Sequence, residues 1–182
     1  MEIFKGRPQD IDMRQEKEVR VYDLLDSLSI EYGRTDHGEA NTMEACNEID
    51  KVLGTLICKN LFLCNRQKTQ FYLLMMPGDK PFKTKDITSQ LGCARLSFAN
   101  EEAMEKYLDI KSGAVSIMGL MNDKENHVQL VIDKNVVEGE FIGCHPCVST
   151  SSLKIKTKDI LEKYLPAVGH SPVFVELPDY NE

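Results

Sequence analysis

The 182-residue sequence has no apolar run near the ~20 residues that a membrane-spanning helix requires; its longest apolar pieces are short, such as Phe71 to Met76. No apolar leader stands at the amino terminus, where charge and proline occupy Met1 to Asp10, so the cytoplasm is the expected location. Basic residues are not in excess: 22 Lys and Arg against 29 Asp and Glu give a net charge of −7, which excludes a protein that coats DNA by bulk positive charge. An acidic total still permits a nucleic-acid partner through a local lysine patch, with salt-sensitive affinity. There is no repeat of about 20 to 50 residues and no low-complexity stretch. Neither a Walker-type phosphate loop nor a nucleophile elbow is present. The six cysteines, in a chain without an export signal, are expected as reduced thiols. What remains is an ordinary globular composition, 42% apolar and 28% charged, of a length for one compact domain or at most two very small ones.

Periodicity supplies the elements. Val21, Leu24, Leu25 and Leu28 fall at i, i+3, i+4 and i+7, which predicts an amphipathic helix over residues of about 14 to 29. An extended segment from Ile30 to His37 follows. Asn41 and Glu44 form a capping-box pattern for a second helix, with Met43, Cys46, Ile49 and Leu53 as its buried face and Gly54 as its stop. Thr55 to Cys64 and Thr69 to Met76 read as strands joined by the hairpin Asn65-Arg66-Gln67-Lys68. Thr84 is placed to cap a helix to Leu91, and Asn100 another through Leu108. Alternation then marks Val128 to Ile132, Phe141 to Gly143 and Val148 to Ile155 as extended, before a last helix from Thr157 to about Leu165. Interleaved helices and strands imply a single α/β or α+β domain around a mixed sheet.

Several residues could carry chemistry. Cys144-His145-Pro146-Cys147 has the spacing of a redox dithiol or of half a zinc site; buried structural thiols are the alternative, since no second pair of ligands has matching spacing. Lys59-Asn60 interrupts the apolar run Leu56 to Leu63, so Lys59 either faces solvent or faces a polar cavity. Gly113 to Gly119 could bring backbone close to a ligand, or could be a plain strand-to-turn junction. His37 and His127 have no partner by spacing. Lys154, Lys156 and Lys158, read as alternate residues of one strand, form either a phosphate-binding rim or a solvated edge.

Taken in order, these segments resemble the YbaK/ProX family of aminoacyl-tRNA editing domains, and within it the free-standing prolyl-tRNA editing proteins that deacylate alanyl-tRNA(Pro). The likeness runs from about Arg20 to Leu165. It includes Val21-Tyr22-Asp23-Leu24-Leu25, Asp36-His37 with Thr42-Met43, Cys58-Lys59-Asn60-Leu61-Phe62-Leu63 and Phe71-Tyr72-Leu73-Leu74. It continues through Arg95 to Ala99, Gly113-Ala114-Val115-Ser116, Gly119 to Asp123 and Cys144-His145-Pro146.

The resemblance implies one editing domain over residues 1–182, with a mixed, mostly antiparallel curved sheet flanked by helices and a proline-spaced tail from about residue 166. It implies that Lys59 holds the terminal nucleotide of a tRNA and orients the aminoacyl ester, beside Asn60. Gly113, Ala114, Val115 and Ser116 match the loop whose backbone engages the terminal ribose and amino acid, although the loop's proline position is Ile117 here. His145 matches a pocket histidine followed by Pro146, and Thr42 a pocket-lining residue; Ser149-Thr150 stands where many relatives have asparagine and threonine. The implied activity is hydrolysis of mischarged tRNA(Pro) without metal or cofactor. The implied partners are the aminoacylated 3′ end of tRNA(Pro) and prolyl-tRNA synthetase, with neither DNA nor a membrane. A non-catalytic module of the same fold that senses an amino acid or tRNA is the alternative.

Overall fold

The computed structural model describes residues 1–180. Two sheets carry the architecture. The first is antiparallel, in the order β1 (Phe4–Lys5), β2 (Tyr32–Asp36), β8 (Ser151–Lys156), β7 (Phe141–Cys144). The second is mixed, in the order β5 (Ser97–Phe98), β3 (Lys59–Cys64), β4 (Phe71–Met76), β6 (Val128–Asp133), β9 (Val173–Val175). Antiparallel pairing dominates, while β4 with β6 and β6 with β9 run parallel. The expected mixed α/β architecture is thus present, divided between two sheets rather than one. No helix of the described residues is long and apolar enough to cross a membrane.

The strands β4 and β6 are covered on both faces, as central strands with parallel neighbours are. Phe62, Leu73, Met75, Leu130 and Ile132 join the large core between the sheets, together with Tyr32, Ile142, Leu153 and Ile155. Leu63, Leu74, Met76 and Val131 point the other way and pack with Ile87 of α3 (Thr84–Leu91) and with Val175 and Leu177 of the tail. Each fully buried Leu, Ile or Met contributes roughly 1.5–3 kcal/mol of apolar transfer. Helix α1 (Glu16–Ser27) buries Val21 and Leu25 of the expected stripe, while Leu24 and Leu28 are only half-buried against the core and Tyr22, outside the stripe, is fully buried. Asn100 caps α4 (Glu101–Leu108) by accepting from the Ala103 amide at 2.9 Å. Asn65 accepts from the Thr69 and Gln70 amides and so closes the β3–β4 hairpin.

Some expectations are corrected. Helix α2 (Met43–Leu53) is capped not by Asn41 but by Thr42, whose hydroxyl accepts from the Ala45 amide at 3.1 Å. The strand expected from Thr55 begins only at Lys59, and the one expected from Val148 begins at Ser151, because Ser149 and Thr150 lie in a turn. Lys158 falls in helix α6 (Thr157–Asp159), so the three lysines do not share a strand face; Lys154 instead lies over the Phe141 ring. The chain continues from α6 through a π turn (Ile160–Tyr164) into α7 (Leu165–Val168), and the tail then adds β9 to the second sheet. Helix α5 (Lys134–Glu138) directly follows β6.

One contact joins the sheets and sets up the site. Residues 56–58 cross β7 so closely that a Cβ on Gly143 would lie 2.7 Å from the Leu56 carbonyl oxygen. Only glycine tolerates that approach. Ile57 bridges Gly143, and the Cys58 amide donates to the Gly143 carbonyl at 3.1 Å. The start of β3 is therefore held beside the end of β7.

Candidate active site

A cavity of ≈ 520 Å³ opens at that junction. Lys59, Gly113 and His145, which lie far apart in the sequence, all line it. Helix α2 forms one wall through Met43, Cys46, Asn47 and Asp50, spaced i, i+3, i+4 and i+7. Met43, expected in the buried face of α2, is 73% exposed, while Leu53 and Ile49 are buried, Ile49 also reaching the cavity wall. The helix has two working faces, and the apolar count alone merges them.

Lys59 is the first residue of β3, opposite Met76 of β4. Its Nζ donates to the backbone carbonyl of Lys80 at 2.7 Å. An ammonium has three N–H donors, so two remain for a ligand. Asn60, its neighbour, projects to the other face of the strand, as alternation requires. Its amide donates to the Cys58 carbonyl at 3.0 Å, while Oδ1 is buried without a hydrogen bond. Asn60 is not among the residues lining the cavity, and neither are Thr42, Ala114, Val115, Ser116 and Pro146.

Gly113 and Ser112 form the cavity's loop wall. Behind them Ala114 and Ser116 are buried, and Ser116 Oγ accepts from the Met118 amide at 3.1 Å, capping a 3-10 turn over Ile117–Asn122. The Tyr164 hydroxyl donates to the Ile117 carbonyl at 2.8 Å. The loop that carries Ile117 is braced by these two bonds.

His145 follows β7 directly. Its Nδ1 lies 2.9 Å from the Ser151 carbonyl and 3.4 Å from Ser152 Oγ. A carbonyl only accepts, which places the hydrogen on Nδ1 and leaves Nε2 with its lone pair. Burial holds the imidazole below the ordinary histidine range; the Ser151 contact opposes this and nearby His37 adds to it. His37 is not isolated, as its spacing suggested: Nδ1 faces the Gly38 carbonyl at 2.8 Å and Nε2 faces Ser152 Oγ at 2.8 Å. The Ser152 hydroxyl therefore donates to His37 and accepts from His145. Ser151 is fixed in turn, because its Oγ donates to Asp36 at 2.6 Å. Burial opposes ionisation of Asp36, but hydrogen bonds from Arg14, Arg34 and Ser151 hold its carboxyl well below the usual carboxylate range.

Asp50 is among the lining residues that the sequence does not single out. Its Oδ1 accepts from the Ile57 amide at 3.1 Å, and burial raises its pKa. Its i+4 relation to Cys46 was the available signal. With Glu39 and Asp79 it gives the cavity three carboxylates against the single ammonium of Lys59.

Cys144 and Cys147 are buried at 1% and 0% exposure, and burial pushes the Cys147 thiol up to about 12 and that of Cys144 higher still. Reactive cysteines require the opposite environment, so the pair has the surroundings of structural thiols. Among the described residues no group of three His, Cys, Asp or Glu side chains is arranged to hold a metal ion.

Comparison with known proteins identifies the family. The sequence model of the aminoacyl-tRNA editing domain matches residues 37–163. The prolyl-tRNA editing protein ProX of Acetoanaerobium sticklandii is 34% identical over 168 residues, spanning 92% of this chain and 99% of that protein. Prolyl-tRNA synthetase associated domain-containing protein 1 of Danio rerio is 29% identical over 167 residues, 91% of this chain and 88% of the relative. A solved structure of a candidate trans-editing enzyme for prolyl tRNA synthetase superposes with a TM-score of 0.65 at 13% identity, covering 91% of this chain and 99% of that one; at that identity the likeness concerns the fold.

Proposed function

The chain belongs to the aminoacyl-tRNA editing domain family, and from that premise we propose that it hydrolyses mischarged tRNA(Pro), with alanyl-tRNA(Pro) as its preferred substrate. It acts in trans, in the cytoplasm, beside prolyl-tRNA synthetase and without a metal ion. The observation that carries this reading is the convergence of Lys59, Gly113 and His145 on one cavity.

Hydrolysis of an aminoacyl ester needs a bound 3′ end, a positioned water and stabilisation of the oxyanion that develops on the carbonyl. In this reading Lys59 spends its two remaining N–H donors on the terminal nucleotide and the ester. The backbone at Ser112 and Gly113 engages the ribose and the amino acid, with Ala114, Val115 and Ser116 packed behind it and Ile117 held by Tyr164. Asn60, Thr42 and Pro146 support the walls from behind rather than touching the ligand. His145 bounds the amino-acid side chain and offers Nε2 as an acceptor. Water adds to the carbonyl carbon, the bond to the ribose oxygen breaks, and that oxygen leaves with a proton; the neighbouring ribose hydroxyl of the substrate assists the water. Three carboxylates favour a substrate with a cationic α-amino group, which an aminoacyl ester carries. A small pocket can accept alanine and exclude proline, a discrimination that size alone denies to a site built for proline.

The test is deacylation of alanyl-, cysteinyl- and prolyl-tRNA(Pro) by purified protein in the presence of chelator. Release of alanine with retention of proline supports the reading. Loss of activity on chelation removes metal independence, and equal release of all three removes the alanine preference.

A further inference from the structure

Lys80 takes no part in the chemistry outlined above, yet few side chains are held so completely. It is 6% exposed, and a buried ammonium is costly unless each donor is met. Nζ donates to Asp133 Oδ2 at 2.7 Å, Asn135 Oδ1 at 2.8 Å and the Leu177 carbonyl at 2.7 Å. Those acceptors use all three N–H bonds and come from the end of β6, the start of α5 and the tail after β9. Asp133 is itself fully buried.

The other end of Lys80 faces the site. Its amide donates to the Pro77 carbonyl at 3.2 Å, closing the turn Pro77-Gly78-Asp79-Lys80, and Gly78 and Asp79 line the cavity. A Cβ on Gly78 would lie 2.9 Å from the Ile57 carbonyl oxygen, so the turn is pressed against the approach to β3. Its own carbonyl then receives the Lys59 ammonium at 2.7 Å. The residue that clamps the turn through its side chain thus presents, through its main chain, the acceptor that aims Lys59.

We propose that Lys80 is a positioning residue for Lys59, and that the carboxy-terminal segment through Leu177 completes the clamp. This rests on the role given to Lys59 above. It extends the functional site to a segment outside the span matched by the family, which ends at residue 163.

Lys80→Met alone strands the Asp133 carboxylate in the core and risks unfolding, so the decisive variant is Lys80→Met with Asp133→Leu. Replacing a buried ion pair with apolar residues of similar size is commonly neutral in stability. Three quantities are read: thermal midpoint, acetylation rate of Lys59 by acetic anhydride followed by mass spectrometry, and deacylation of alanyl-tRNA(Pro). The expected result is a folded protein with a midpoint several degrees below the parent, since Asn135 Oδ1 and the Leu177 carbonyl lose their donor and the Asn135 amide loses its Asp133 cap. With it come a several-fold faster modification of Lys59 and a kcat/KM lower by about 100-fold, the scale of a misplaced catalytic group. Asn135→Ala, which removes one acceptor and leaves no buried charge alone, is expected to move both readouts part of the way. Should the double variant fail to fold, Asn135→Ala decides by the same two readouts. A folded variant with unchanged Lys59 modification overturns the clamp, and faster modification with parental kcat/KM overturns its part in turnover. Where the parent itself releases no amino acid, the functional reading fails, and Lys59 modification still tests the clamp.

Discussion

The Nδ1 atom of His145 rests 2.9 Å from the carbonyl of Ser151, so the ring is locked with its hydrogen on Nδ1 and its lone pair on Nε2. Nitrogen NMR of the labelled histidine is expected to report a protonated Nδ1 and an unprotonated Nε2 at neutral pH. The folded environment lowers the pKa of this ring from its ordinary 6.5. Protons consequently bind the unfolded chain more readily. The stability that neutral His145 contributes is complete above pH 6.5 and is lost as the pH falls through the depressed folded value. Denaturant titrations of the parent and of His145→Gln are expected to converge as the pH falls below 6.5. Parallel curves would remove His145 as the source of the acid loss.

Asp50 carries the second expectation. Asp50→Asn keeps an oxygen for the Ile57 amide and removes the cavity charge. A charge-assisted hydrogen bond contributes about 1.5–3 kcal/mol, so kcat/KM for alanyl-tRNA(Pro) should fall by about 10-fold or more. The parent should discriminate against N-acetylalanyl-tRNA(Pro), and the variant should narrow that gap. Equal handling of both substrates by the parent would show that the amino group is not read.

Thr42 supports the cavity through the helix it caps. Thr42→Ala should cost about 1 kcal/mol, and Thr42→Ser should recover it. For a chain of this size that is a midpoint shift of roughly 2–4 °C. Deacylation should follow stability in both variants. A loss of activity in Thr42→Ser at full stability would instead make the threonine methyl a contact of the ligand.

Tyr164→Phe deletes the donor to the buried Ile117 carbonyl and should destabilise the fold by about 1–3 kcal/mol in denaturant unfolding. KM should rise more than kcat falls, because the loop is loosened where it receives the ligand. An unchanged KM would leave Ser116 as the loop's sufficient brace.

The fold was largely legible in the sequence, since its signals are local. The stripe of α1, the Asn100 cap, the glycine that ends α2 and the hairpin at Asn65 all depend on neighbours within a turn or two. Boundaries shifted where a distant contact intervened: residues 56–58 are extended in pattern, yet they cross β7 rather than join β3. Lys59 stood out because a charge in an apolar run needs an explanation. Lys80 did not, because its three acceptors are separated from it by 53, 55 and 97 residues. Asp50 was hidden by the averaging of two helix faces, and His37 by a partner 115 residues away.

The most direct measurement compares the parent with Lys59→Ala on alanyl-tRNA(Pro), with chelator present and prolyl-tRNA(Pro) as the control. The expected result is rapid release of alanine, retention of proline and, in Lys59→Ala, a rate lower by about 100-fold or more in a protein of parental stability. Parental rates in Lys59→Ala, or tRNA binding without hydrolysis in either protein, would contradict it, the latter in favour of a sensing module that keeps this fold.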